Sequence, residues 1–458
     1  MDSPNTLSPV AHQRATVKTL LTLAWPIVIS RATQTVVGLF DALMVAHLGA
    51  TALAATNTGA LNAFAVMILP MGVTFIVSSF ASQLFGKGDL AGARRYGWYG
   101  LMVAGFTAVL CLASIPFIDQ VLSHLDFTDE LRSAMSVYLR IRLLSGGAAI
   151  GMEALGNYFG GLGRTRPAMV ANVVLMTLNV VLCWVLIDGH LGAPAMGVAG
   201  SAWAATIATW LAFAGLFFYF WREGDPRHRA TFKGPEFVRM LRFGFPSGVN
   251  WLVEFGAFLF FTNVVVAGLG TATLAAMNSV ITLTSVSFMP AFGLASAGAI
   301  LVGQAIGAGR KDDVPGVVRM AAGATLVWEG AMGVLCLLIP SLLIAPFARG
   351  DATGQVAALG ARMLMVAAAW QLFDAVAMAV AEALRSAGDT LFPMVARIGI
   401  AWLVFVPGAW WSVKQLHWSE VGALFWMVVY LALLAVVVTL RFRSGAWRTM
   451  QLVEPTAV

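Results

Sequence analysis

The sequence predicts an all-α membrane protein: twelve transmembrane helices in two six-helix bundles related by a pseudo-two-fold axis along the membrane normal. Three observations lead there. The 458 residues are 59% hydrophobic and only 11% charged, where soluble domains carry roughly 25% charged residues. The apolar residues fall into runs long enough to span a bilayer, about 20 residues per helix. Motifs of the first half recur in the second at a nearly constant spacing.

Taken in order, the runs lie approximately at 17–46, 52–80, 97–122, 134–161, 168–188, 195–221, 237–268, 273–303, 316–346, 355–384, 391–412 and 419–440. None shows the two-residue alternation of a barrel strand. In lipid the backbone must satisfy its own hydrogen bonds, so these runs are helices. The opening, MDSPNTLSPVAHQ, is polar, and the first run exceeds the apolar core of a signal peptide, so it is expected to be retained. The organisation expected is an amino-terminal tail at 1–16, bundles at 17–221 and 237–442, a basic linker at 222–236 and a tail at 443–458.

Most of the 28 Lys and Arg fall at the N-terminus, the even-to-odd loops and the C-terminus, and only Arg132, Arg349 and Lys414 lie on the other side. Positive residues mark the cytoplasmic face, so both termini are expected there. The net charge of +6 then reads as a topology signal and not as a nucleic-acid surface. Cys111, Cys183 and Cys336 are widely spaced inside apolar runs, which excludes a disulfide framework or CxxC metal site. No HExxH, nucleophile elbow or phosphate loop argues for an enzyme.

The repeats justify the two bundles. VAHLGATALAATN, ending at Asn57, answers to VAGLGTATLAAMN, ending at Asn278, and QLFGKG from Gln83 answers to QAIGAG from Gln304. LAWPIVIS around Pro26 answers to FGFPSGVN around Pro246, and GRTRP at Gly163 to GDTLFP at Gly388. A period this long is a duplicated six-helix unit and no solenoid. Six is even, so both copies enter the membrane from one side and are parallel repeats, with a cleft between them for substrate.

Charges inside the runs are the candidate functional groups. A carboxylate at mid-membrane depth costs roughly 2.5–3.5 kcal/mol on insertion scales, so it marks function by default. Asp41 lies in the first run, in the stretch Gln34–Leu48, beyond Pro26. Proline removes a backbone hydrogen bond and lets the helix bend, which makes Pro26 and Pro246 candidate hinges. Glu254 follows Pro246 and shares a helix face with Asn250, and Asp374 follows Trp370 and Gln371. An aromatic ring near a carboxylate suits an organic cation. Glu153 is expected to pair with Arg140 or Arg142, Glu382 with Arg385, and Arg31 with an internal carboxylate or water. Glu329 is the remaining acid at depth, and an interface is expected near it.

A carboxylate withdrawn from water favours its protonated form, so proton, sodium ion and cationic substrate compete for one negative site. That competition suffices for antiport. With these residues in place, the chain resembles the multidrug and toxic compound extrusion (MATE) family over residues 17–442. The carriers are the Pro26-to-Asp41 spacing, both QxxGxG turns, and the GRTRP and GDTLFP elements. The acids in the seventh and tenth runs make it look like the NorM-type branch.

The resemblance implies two bundles in a V and efflux of organic cations coupled to sodium or protons, with no resident cofactor or metal. The partners it implies are organic cations and membrane lipid, with no nucleic acid, and a monomer is expected. It places ion coupling on Asp41, Glu254 and Asp374. Supporting positions would be Gln34, Asn57, Asn179, Thr206, Asn250, Asn278, Trp370 and Gln371. Sodium would sit at Asp41 with Asn179, or at Glu254 with Asp374. Where the family often has a carboxylate or amide, four residues after Asn179, this chain has Cys183. A thiol is a poor sodium ligand, which favours protons. The rival is a lipid-linked oligosaccharide flippase of the same superfamily. Arg31, Arg140, Arg142, Arg362 and Arg397 would then have to meet a pyrophosphate.

Overall fold

The structure, a computed structural model, describes residues 15–124, 127–223, 231–347 and 354–453. Much of the expected tails and linker lies outside these residues, as do the orientation signals Arg14, Arg227, Arg229 and Arg349. Every regular element among the described residues is helical. In order they are α1 (Val17–Val45), α2 (Ala50–Thr74), α3 (Ile76–Lys87), α4 (Leu90–Ser114), α5 (Ile118–Ser123), α6 (Asp129–Leu143), α7 (Gly146–Gly161), α8 (Arg166–Asp188) and α9 (Val198–Arg222). There follow α10 (Gly234–Phe260), α11 (Thr271–Gly307), α12 (Val314–Leu338), α13 (Pro340–Ile344), α14 (Gln355–Ala387), α15 (Leu391–Ile400), α16 (Val406–Lys414) and α17 (Glu420–Arg443).

Among the described residues, 11 helical stretches are long and apolar enough to cross a membrane. The one expected span not among them, the fourth at 134–161, is divided into α6 and α7 at Leu144 and Ser145. The break has a local cause. Ser145 Oγ donates to the Arg142 carbonyl at 2.8 Å, beside the Ser145 N–H, which bonds the same oxygen at 3.2 Å in a tight turn that closes α6. Directly after it, a Cβ on Gly146 would sit 2.5 Å from Cys111 Sγ, and one on Gly147 would sit 2.6 Å from Ala108 Cβ. The start of α7 therefore approaches α4 as only glycine permits.

The duplicated motifs adopt matching backbones. Short 3-10 turns, Ala46–Leu48 and Ala267–Leu269, lead to Gly49 (φ 109, ψ 170) and Gly270 (φ 113, ψ 163). Both glycines precede a long helix in a conformation that L side chains rarely reach. The QxxGxG turns end on Gly88 (φ 85) and Gly309 (φ 75).

The chain forms two compact units, Ile29–Gly248, and Val249–Val458 with Met1–Val28. The boundaries thus fall just beyond Pro26 and Pro246, inside α1 and α10.

In the unit Ile29–Gly248, the first turns of α10 are fastened to α4. Arg95 donates to both Glu236 oxygens at 2.8 and 3.0 Å, and Tyr99 donates to Oε2 at 3.1 Å. This paired, two-bond contact is the strong form of an arginine–carboxylate interaction. Further along, α10 meets α2 backbone to backbone: a Cβ on Gly72 would lie 2.6 Å from Gly248 Cα, and one on Gly248 would lie 2.5 Å from the Leu69 carbonyl. Helices in lipid gain adhesion through such small-residue contacts.

The other unit packs around α11 and α14, with Leu301, Val302, Met363, Leu364, Leu384 and Leu434 in its core. Here the helices carry two π segments, Phe261–Val266 and Ala401–Phe405. Their Phe261 and Phe405 rings pack at 5.0 Å, and Phe405 stacks on Tyr430 at 5.3 Å. Such segments concentrate at functional sites.

Gly72→Ala is expected to destabilise the protein by about 1–3 kcal/mol through overpacking. Gly105→Ala, at a glycine with nothing within 4 Å, should stay within about 0.5 kcal/mol. Reversible unfolding in detergent micelles measures both, and equal stability for the two variants would refute the backbone contact.

Candidate functional site

Asp41 on α1 is reached from α8, whose Asn179 and Cys183 lie one turn apart and share a face. Cys183 Sγ donates to Asp41 Oδ1 at 3.3 Å and lies 3.8 Å from Asn179 Oδ1. Both α8 residues are fully buried. The Asn179 amide lies beside Asp41, yet its buried Nδ2 has no hydrogen-bond partner. The thiol that departs from the expected pattern is thus a direct donor to the carboxylate. Ser201 on α9 lies beside the thiol. Arg142 is the cation whose field reaches Asp41, but its guanidinium bonds Ser145. Thr206, expected with this group, instead donates to the Ile141 carbonyl at 3.1 Å. It joins α9 to the last turn of α6, where carbonyls need outside partners.

Arg31, ten residues earlier on α1, has a carboxylate partner. It donates to Glu153 at 2.8 and 3.1 Å, and Gln34 Nε2 adds a bond to Glu153 Oε1 at 3.3 Å. The expected pairing of Glu153 with Arg140 or Arg142 is therefore replaced. Arg140 bonds Asp119, because α6 lies against α5 at that end while Glu153 on α7 faces α1. Arg385 pairs with Glu382 as expected.

In the unit Val249–Val458, Glu254 is ion-paired with Arg397 on α15. The Arg397 side chain is mostly buried, whereas that of Glu254 is 40% exposed. Tyr430 lies beside the guanidinium; sequence reasoning missed it, since a lone tyrosine in an apolar run carries no pattern. Asp374 is partly exposed, and the charges that reach it are Glu329, Glu254 and Arg397. Trp370 is 9% exposed and packs in the core of this unit. Gln371 is 3% exposed, with neither amide atom hydrogen-bonded, and Asn250 Oδ1 is likewise buried and unpartnered. Asn57 and Asn278, the repeat-related amides, are both exposed.

The arrangement separates two kinds of acid. Glu153 and Glu254 are neutralised by arginine, and Asp41 is hydrogen-bonded to a neutral thiol. A fixed ion pair leaves little charge to exchange. A carboxylate with neutral partners can hold a proton or a cation in turn.

Comparison with known proteins places these residues in a wider set. The MatE family model matches residues 26–185 and 246–411. The chain is 31% identical over 399 residues to a probable multidrug resistance protein NorM of Chromobacterium violaceum, covering 83% of each chain. It is 26% identical to a probable NorM of Thermotoga maritima, covering 94% of this chain and 93% of that one. A solved structure described as the outward-facing conformation of a multidrug resistance MATE family transporter of the MOP superfamily superposes with TM-score 0.86 at 20% identity. It covers 98% of this chain and 100% of its own, and it establishes likeness of fold.

Glu153→Gln is expected to lower stability by about 3 kcal/mol, since it removes the carboxylate that Arg31 donates to, and Arg31→Met with Glu153→Gln together should recover most of that loss. Unfolding in detergent of both single variants and the double variant measures the coupling; additive losses would refute the pair.

Proposed function

The chain belongs to the MatE family of membrane transporters, which are not enzymes, and from that membership we propose a secondary antiporter that exports organic, mostly cationic compounds in exchange for protons. It works as a monomer by alternating access in the bacterial cytoplasmic membrane. Both termini are in the cytoplasm, where the basic loops would lie. The multidrug resistance names of its NorM relatives support the substrate class.

The observation that carries the reading is the set of neutral partners around Asp41. The carboxylate keeps its charge for exchange because Cys183 donates to it without cancelling it. Proton uptake neutralises Asp41 and releases a bound cation; proton loss restores the site. The thiol also favours proton over sodium, because sodium seeks oxygen ligands. In the other unit Asp374 does the same work, with Glu254 and Arg397 setting the local field. Pro26 and Pro246, just before the two unit boundaries, act as hinges at which α1 and α10 bend. Exchange of one proton for one monovalent cation is electroneutral. The proton concentration ratio then supplies about 1.4 kcal/mol per tenfold.

The flippase reading is weaker. Of the five arginines at depth, Arg31, Arg140, Arg362 and Arg397 pair with Glu153, Asp119, Glu420 and Glu254. Arg142 bonds Ser145. A pyrophosphate would have to displace those carboxylates.

In proteoliposomes loaded with ethidium, an imposed proton gradient is expected to drive exchange. Asp41→Asn and Asp374→Asn should each slow it roughly tenfold or more, a barrier change of about 1.4 kcal/mol. Glu254→Gln, which leaves Arg397 uncompensated beside Asp374, should slow it too. Unaltered exchange in all three removes the mechanism. Ethidium movement driven by sodium alone removes the proton assignment, and translocation of a lipid-linked sugar without any ethidium response favours the flippase.

A further inference from the structure

Among the described acids inside the apolar helices, Glu329 stands outside the pairs and the exchange groups. Glu329 on α12 is 1% exposed. Its Oε2 accepts a 2.7 Å bond from Ser287 Oγ on α11, and Ser287 is itself held by Trp328, whose Nε1 donates to the Ser287 carbonyl at 2.9 Å. Glu329 Oε1 is buried without a hydrogen-bond partner.

The register of α12 on α14 identifies what Glu329 faces. Thr325 Oγ1 donates to the Ala375 carbonyl at 3.1 Å. A Cβ on Gly330 would lie 3.6 Å from Leu372 Cδ2, and one on Gly333 would lie 3.4 Å from the Ala368 carbonyl. The helices therefore run antiparallel, and Glu329 falls opposite Gln371, whose buried amide has both atoms without partners. One turn from Gln371 stands Asp374, whose charge is felt with that of Glu329.

We propose that Glu329 is a second proton-binding site, with Gln371 as hydrogen-bond partner of the protonated acid and Asp374 as the carboxylate it titrates with. This deepens the antiport reading and rests on it for the role of Asp374. Protonation places an O–H on a carboxyl whose Oε1 lacks a partner, facing an amide with an open acceptor. Ionisation without a counter-ion in that setting is costly. The groups that bond or sense Glu329 are Ser287 from α11, Asp374 from α14 and Cys336 on its own helix, and Gln371 lies beside Cys336. Glu254 and Arg397 act on Asp374. Two acids that sense each other titrate as a pair, in two macroscopic steps. One proton is taken up for each acid neutralised, and no other reactant is needed.

The test combines infrared difference spectra of the purified full chain with ethidium–proton exchange in proteoliposomes. Wild type is expected to show a protonated-carboxyl C=O band at neutral pH that Glu329→Gln removes. In the same variant, the high-pH inflection of exchange should move down by about one pH unit, because Asp374 no longer shares a proton. A retained band together with an unmoved inflection overturns the proposal. Loss of the band on adding sodium at constant pH overturns the proton assignment. Ser287→Ala keeps the acid and removes its donor. It should move the band's titration to higher pH, and an unmoved titration again overturns the proposal, even if Glu329→Gln fails to fold. Asp374→Asn separates the two readings. Wild-type exchange in that variant removes Asp374 and the coupling, while the Glu329 proton is still decided by its band.

Discussion

An ionised group lodged among apolar helices must be compensated, and this requirement organises the polar contacts of the whole chain. Bringing an unpaired charge out of water costs more than any single contact returns. Two solutions appear. Arg31 with Glu153 and Arg397 with Glu254 cancel charge with charge. Asp41 and Glu329 are instead approached by neutral donors, the Cys183 thiol and the Ser287 hydroxyl. The first solution fixes helices to each other. The second leaves a carboxyl group bonded to a neutral donor, the property on which the proposed proton exchange rests.

Helix packing decides which acid receives which treatment. Glu153 meets Arg31 because α7 faces α1 at that level. Asp41 avoids Arg31 because ten residues along a helix raise it by about 15 Å. There α8 presents Asn179 and Cys183. Close approach through glycine sets these levels: Gly72 against Gly248 joins α2 to α10, and Gly146 and Gly147 bring α7 onto α4. Where the backbone departs from α-helix, at Phe261–Val266 and Ala401–Phe405, aromatic rings from both segments fill the gap.

Several features were legible in the sequence because each rests on a rule local to a few residues. The helical, membrane-spanning class follows from run length and composition. The turn glycines follow from the left-handed backbone that both repeats adopt, and the local pair Glu382–Arg385 from their spacing. Asp41, Glu254 and Asp374 stood out as charges in apolar surroundings. The break between α6 and α7 was not legible, since it depends on how near α4 comes to Gly146. Nor was the partner of Glu153, which lies 122 positions away and not among the nearby arginines.

What the sequence determined by itself was therefore the class of the molecule, its duplication and the inventory of buried charge. All of these are sums or periodicities over neighbouring residues. What only the tertiary structure decided was the pairing: which acid is cancelled by an arginine, which rests on a thiol or hydroxyl, and that Glu329 stands opposite Gln371. Pairing depends on the depth and rotation of helices far apart in the chain. Those are set by side-chain contacts across the bundle, which no local pattern encodes.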